Sequence, residues 1–144
     1  MKNLTVWQRL MYISAGLVFL VVLLLGFAVI PHIRMDESIT EFADGAIRGT
    51  FFVSLIHLLF LILLIGAIIS SFRRGKAIKG LLIVSGIFLI LLGLLISDGG
   101  FAYIDSPSSR PTAIYIFICV GFDLIAGILA FVAIYKRRKL ISVK

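Results

Sequence analysis

The sequence predicts an all-α integral membrane four-helix bundle made of two helical hairpins, each starting on the cytoplasmic side. Composition is the first reason: apolar residues make up 61% of the 144 residues and charged residues only 15%, against about half and about a quarter in water-soluble domains. The second reason is that the apolar residues gather in four stretches of the roughly twenty residues that a helix needs to cross a bilayer. We therefore expect a single transmembrane domain covering residues 1–144.

The four predicted spans are residues 11–31, 50–72, 80–97 and 112–135. Helices are expected because lipid offers no partner to backbone N–H and C=O groups, so a span must be a helix or a strand of a closed barrel. Barrel strands would alternate apolar and polar residues. These stretches do not alternate, and the helical prediction follows.

A cleaved signal peptide is the alternative for the first span. Lys2 and Arg9 precede its apolar core, and residues 26–28 offer a cleavage site of the small-x-small type. Cleavage would leave three spans with the amino end outside. The apolar run is long for a signal core, which favours a retained helix.

The position of the charges predicts the orientation. Eleven of the fourteen Lys and Arg residues lie in three segments that hold no acid: Lys2, Arg9, Arg73, Arg74, Lys76, Lys79, Lys136, Arg137, Arg138, Lys139 and Lys144. Six of the seven acids lie in the other two polar segments: Asp36, Glu37, Glu41, Asp44, Asp98 and Asp105. Since Lys and Arg accumulate in cytoplasmic loops, we expect a cell-membrane protein with both termini in the cytoplasm. The net charge of +7 is thereby explained without a nucleic-acid partner, and the lipid bilayer is the expected contact.

The two connections on the opposite side differ in pattern. Residues 32–49 contain Ser38-x-x-Glu41, a capping-box pattern, ahead of apolar residues at helical spacing. A short helix on the outer membrane surface is one interpretation, and an irregular polar loop is the other. The second connection, residues 98–111, contains Gly99-Gly100 and is expected to be turns and coil.

The two halves of the chain resemble one another. Residues 13–17 (ISAGL) match residues 83–87 (IVSGI), and residues 68–76 echo residues 133–139. A repeat of hairpins that start on the same side would be parallel, with its axis along the membrane normal. Similar apolar composition alone would also explain the match.

Asp123 is the most informative residue because it is the one acid predicted inside a span. A charged residue at the bilayer centre costs at least about 2.5 kcal/mol on insertion scales, so it should face protein or water. Its expected partner is His57 in the second span, below Thr50 and Ser54 on the same helical face. Counted from the span ends, Asp123 should lie roughly 5 Å deeper than His57.

Two interpretations of Asp123, His57, Ser54 and Thr50 stay open. Such a site could relay protons, coordinate an ion or bind a polar head group. The same residues could instead fix the packing of the helices by a buried hydrogen bond.

Other chemistry finds less support in the sequence. Haem iron would need axial ligands at one level, whereas His32 is expected at the outer rim and His57 inside. The single cysteine, Cys119, has no basic neighbour to activate it, and the serines in the spans carry no nucleophile motif. No catalytic residue, metal site or cofactor is therefore predicted.

We accordingly expect a noncatalytic accessory, assembly or interaction protein of the membrane, alone as a homo-oligomer or within a larger complex. The alternative is a small transporter or channel subunit that uses the intramembrane Asp/His site.

Overall fold

The computed structural model describes residues 4–35, 40–72, 78–104 and 109–142. Helices cover almost all of them: α1 (Val6–Leu24), a π-helical segment (Leu25–Val29), α2 (Ile30–Met35), α3 (Thr40–Phe72), α4 (Ile78–Ala102) and α5 (Arg110–Ser142). Four stretches are long and apolar enough to cross a membrane: Val6–Ile33, Gly45–Ser70, Lys79–Asp98 and Arg110–Arg137. The protein is therefore an all-α, multi-pass membrane four-helix bundle, as the sequence predicts.

The first crossing helix is α1 continued through the π-helical segment into α2. The Gln8 side-chain oxygen accepts a hydrogen bond from the Thr5 N–H at 3.0 Å and so caps the start of α1. Met11, Val18 and Val21 are fully buried against the rest of the bundle. Removal of this helix as a signal peptide would expose that core, so the packing favours a retained first span.

All four membrane-crossing helices extend beyond the predicted spans, and for α3 and α4 the extension changes a predicted connection. Residues 40–49 are helical, but they form the first part of α3 and not a separate surface helix. Ser38 lies outside the described residues, so the capping box predicted there stays a prediction. Gly99 and Gly100 belong to α4, which continues to Ala102 and is followed by a turn at residues 103–104. Residues 98–102 of the expected coil are therefore helical, because a helix inside a bundle need not stop at glycine, and residues 105–108 lie outside the described residues.

The helices pack in the cyclic order α1, α3, α4, α5, so that α3 and α5 lie diagonally across the bundle. The Arg137 guanidinium lies 5.5 Å from the Trp7 ring centroid at the end where α1 begins and α5 ends, which we call the terminal face. At the opposite end, the far face, the rings of His32 and Tyr115 are 5.1 Å apart. This is the up-down arrangement of consecutive antiparallel helices.

Two apolar clusters fill the interior, one toward each face. The cluster near the terminal face includes Met11, Leu64, Leu82, Leu89 and Ala130. The cluster near the far face is built on the following residues: Val21, Leu25, Val29, Ile33, Ile116, Cys119 and Val120. His57 and Asp123, described next, lie in the layer between the two clusters.

Glycines set the close approach of α4 to α5. A Cβ atom at Gly127 would lie 2.7 Å from Ile90 Cγ1 and 3.0 Å from the Gly86 carbonyl oxygen. Gly93 and Gly100, at seven-residue intervals from Gly86, also face α5 at short distances. Small residues let membrane helices approach closely and so gain van der Waals contact. The seven-residue glycine spacing of α4 was not recognised in the sequence.

Candidate intramembrane polar site

His57 and Asp123 meet at the centre of the bundle. The distance between His57 Nε2 and Asp123 Oδ2 is 2.9 Å, and both side chains are 0% exposed. The two residues sit near the middle of the apolar stretches Gly45–Ser70 and Arg110–Arg137. The depth difference expected from the sequence is therefore absent, because the apolar stretch that carries His57 begins at Gly45, five residues before the predicted span.

This contact joins the two helices on the diagonal. Within the described residues, the backbones of α3 and α5 each lie close to α1 and α4 but not to each other. The His57 and Asp123 side chains therefore bridge these two helices across the bundle axis. His57 lies on the first hairpin and Asp123 on the second. The pair therefore connects the two hairpins through the layer between the two apolar clusters.

The hydrogen bonds of the imidazole determine how many protons the pair holds. His57 Nδ1 lies 2.8 Å from the Val53 carbonyl oxygen, and a carbonyl can only accept, so Nδ1 carries a hydrogen. The Nε2 to Oδ2 hydrogen bond then needs one more proton, placed either on Nε2 or on Oδ2. In both cases the pair is neutral overall, which is the form that costs least inside a membrane.

The second carboxyl oxygen of Asp123 is different. Oδ1 is buried and has no hydrogen-bond partner among the described residues. Gly93 leaves room for this carboxyl group, since a Cβ there would lie 3.2 Å from Asp123 Cβ. A buried polar atom without a partner is uncommon in folded proteins and is a recognised sign of a bound water, an ion or a functional role.

Thr50 and Ser54 stand apart from this contact. The Thr50 hydroxyl donates to the Ala46 carbonyl of its own helix at 2.8 Å, and Ser54 is only half-buried. The structure thus brings together His57 and Asp123 and gives no hydrogen bond from Thr50 or Ser54 to them within the described part of the chain. Their membership of the site stays a prediction.

Sequence reasoning missed a second polar contact next to the pair. The Ser14 hydroxyl donates to the Ala126 carbonyl at 2.9 Å, joining α1 to α5 one turn from Asp123. Ser85 in α4 is also fully buried, and its hydroxyl has no hydrogen-bond partner within the described residues. Serine in an apolar stretch gives no periodic signal, which is why neither residue could be singled out.

No family model, curated protein or solved structure matches the chain. Within the described residues, His, Cys, Asp and Glu form no group of three or more that could hold a metal ion. Cys119 is a buried free thiol one turn before Asp123. Among the described residues, the arrangement at the centre of the bundle pairs one imidazole with one carboxyl group through a shared proton.

Proposed function

We propose that this chain is a noncatalytic accessory, assembly or interaction protein of the plasma membrane. The observation that carries the proposal is the enclosed hydrogen bond between His57 and Asp123, which connects the two hairpins across the diagonal. The His57 and Asp123 side chains are both 0% exposed, and a buried polar pair of this kind is well suited to fix the register of helices. Lipid gives apolar side chains little preference for one helix partner over another, so such directional contacts help to select the packing.

The basic segments support the proposed orientation, with both termini in the cytoplasm. The lipid bilayer is the proposed surrounding partner, and the lipid-facing helix surfaces are the proposed contacts to a second copy or to a larger complex. The proposal includes no nucleic acid, no cofactor and no substrate.

Two variants of Asp123 distinguish a structural role of the hydrogen bond from a role of the exchangeable proton. Asp123→Asn keeps a side chain that can donate from its amide to Nε2 of a neutral His57, whereas Asp123→Ala removes the contact. Thermal stability and oligomeric state would be measured for both variants in nanodiscs. If the pair is structural, Asp123→Asn stays close to wild type, while Asp123→Ala loses stability and assembly together.

A transporter or channel subunit is the second candidate, and the unpartnered Oδ1 atom of Asp123 favours it. An ionisable residue inside a span commonly marks an ion or proton path. This function predicts that wild type in proteoliposomes dissipates an imposed pH gradient, and that Asp123→Asn abolishes the flux while the protein stays folded. Such a result would overturn the first proposal. Equal, background flux from both proteins would exclude proton movement through this site.

A further inference from the structure

A cavity of about 270 Å³ lies between the helices toward the far face, separate from the polar pair. Its inner wall consists of Leu25 and Val29 of the π-helical segment and Ile116 of α5, which are only 1–6% exposed. Its outer edge is formed by Gly49 of α3, which is exposed, and by Leu95 of α4, which is 68% exposed. The cavity therefore opens sideways, between α3 and α4, and its far wall is the interior of the bundle.

The opening results from how α3 and α4 meet. Toward the terminal face the two helices are in contact, with the rings of Phe60 and Phe88 5.2 Å apart. Toward the far face, Gly49 and Val53 of α3, Leu95 and Ile96 of α4, and Tyr103 in the turn after α4 line the cavity instead. A Cβ atom added at Gly49 would meet no atom within 4 Å. The gap is thus open at the helix surface and closed below.

The lining is apolar in character. The Thr50 hydroxyl is already bonded to the Ala46 carbonyl, which leaves its methyl group to the cavity, and Val53 and Ile96 complete this part of the wall. Apolar cavities exclude water, and an engineered one of about 150 Å³ takes up a benzene-sized molecule. The present cavity is larger and has room for a segment of one hydrocarbon chain.

The depth of the cavity in the membrane and the medium beside its opening indicate which molecule occupies it. The apolar stretch of α3 begins at Gly45, so Gly49 and Val53 lie roughly 6 and 12 Å inside it at 1.5 Å per residue. At that depth the medium outside a membrane helix is the acyl chains of the nearer leaflet. The adjacent π-helical turn fits this assignment, since such turns are frequent at functional sites.

We propose that this lateral cavity binds one acyl chain of a phospholipid from the leaflet on the far face. The chain enters between α3 and α4 past Gly49 and Leu95 and contacts Val29 and Ile116 at the inner wall. The cavity adjoins the His57 and Asp123 pair, because Val53 lines it and the Val53 carbonyl oxygen accepts from His57 Nδ1. The proposal does not rest on the function proposed for that pair.

The test uses the full chain in liposomes of phosphatidylcholine, doped with a phosphatidylcholine that carries a diazirine midway along one acyl chain. After photolysis, the modified residues are located by mass spectrometry. Val29 and Ile116 should be labelled, although they are buried from the lipid surface, and Leu64 and Leu89 in the other apolar cluster should not. Labelling restricted to outward residues such as Leu95 would overturn the proposal.

Gly49→Trp and Gly16→Trp form a matched pair for the same measurement. Both glycines are exposed helix positions with no atom within 4 Å of an added Cβ, but only Gly49 lies at the cavity mouth. Gly49→Trp should lose the label at Val29 and Ile116, and Gly16→Trp should keep it. If hydroxyl radicals modify Val29 and Ile116 in wild type while the lipid probe does not, water fills the cavity and the assignment is wrong.

Discussion

The Nδ1 atom of His57 decides what the Nε2 atom of the same ring can do. Its hydrogen bond to the Val53 carbonyl at 2.8 Å fixes a proton on Nδ1 and leaves Nε2 to face the carboxyl group of Asp123. This hydrogen bond to its own helix fixes the tautomer and the orientation of the ring, so that Nε2 can bind a single partner without rearrangement. This arrangement suits both a structural bond and a proton-handling site, so the two roles must be separated by measurement.

Nitrogen-15 NMR of the histidine rings would check this assignment. The chain has two histidines, so a His32→Gln variant identifies the signals of His57. We expect a proton on Nδ1 that exchanges slowly with solvent, because the ring is fully buried and hydrogen-bonded. A spectrum with Nδ1 unprotonated would contradict the proton count given for the pair.

The energy of the pair is accessible through a double-mutant cycle. His57→Ala and Asp123→Ala should each destabilise the protein by about 1–3 kcal/mol, because each leaves a buried polar group without its partner. The double variant should lose less than the sum. The coupling should be about 0.6 kcal/mol, the average for hydrogen bonds between membrane helices, and at most about 1.7 kcal/mol. The free energy of unfolding would be measured in detergent micelles for the two single variants and the double variant. Additive losses would show that the contact contributes nothing.

At the scale of the helices, glycine positions along α4 and α5 explain how Asp123 can be accommodated at all. Gly93 faces the Asp123 Cβ atom. Gly86 lies two turns away on the same face of α4, and it meets Gly127 of α5, so that the two backbones come close together there as well. Not every glycine has this role. Gly121 on α5 has no atom within 4 Å of an added Cβ, so its hydrogen atom is not needed for packing.

This difference yields a matched prediction. Gly127→Ala should destabilise the protein by about 1–3 kcal/mol, the usual cost of overpacking, since its Cβ would meet Ile90 Cγ1 and the Gly86 carbonyl oxygen. Gly121→Ala should be neutral or slightly stabilising, because alanine is the better helix former. Thermal unfolding followed by circular dichroism compares the two variants. Equal effects would show that close approach of α4 and α5 is not important for stability.

The same elements show how far the sequence could lead. Four apolar stretches and the charge pattern were sufficient to predict four helices. Each signal is a sum over many residues of the sequence, so no single position decides it. Helix ends were less accessible: Gly99 and Gly100 look like a turn in isolation, but they continue α4. The hydrogen-bond partners of buried polar side chains could be predicted from the sequence only in part. Asp123 had only one buried histidine to meet, whereas Ser14 bonds to a backbone carbonyl, which no sequence pattern specifies.

At the scale of the whole molecule, the diagonal contact makes the two hairpins one unit. The hairpin that ends with α3 and the hairpin formed by α4 and α5 share two apolar clusters and the polar layer between them. The proposed internal repeat is not required for this arrangement. Gly16 faces open space whereas Gly86, its counterpart in the sequence match, packs against Gly127, so the two positions have different surroundings and the repeat stays a prediction.

The orientation of this unit in the membrane can be tested with two single cysteines. Lys79 is exposed near the start of α4, and Arg110 is exposed at the start of α5, so Lys79→Cys and Arg110→Cys report opposite faces in a Cys119→Ala background. Because Lys and Arg segments stay on the cytoplasmic side, a membrane-impermeant maleimide added to intact cells should label Arg110→Cys and should reach Lys79→Cys only after permeabilisation. The reverse pattern would invert the proposed topology. Labelling of both positions in intact cells would mean that the chain inserts in two orientations, which three concordant basic segments should prevent.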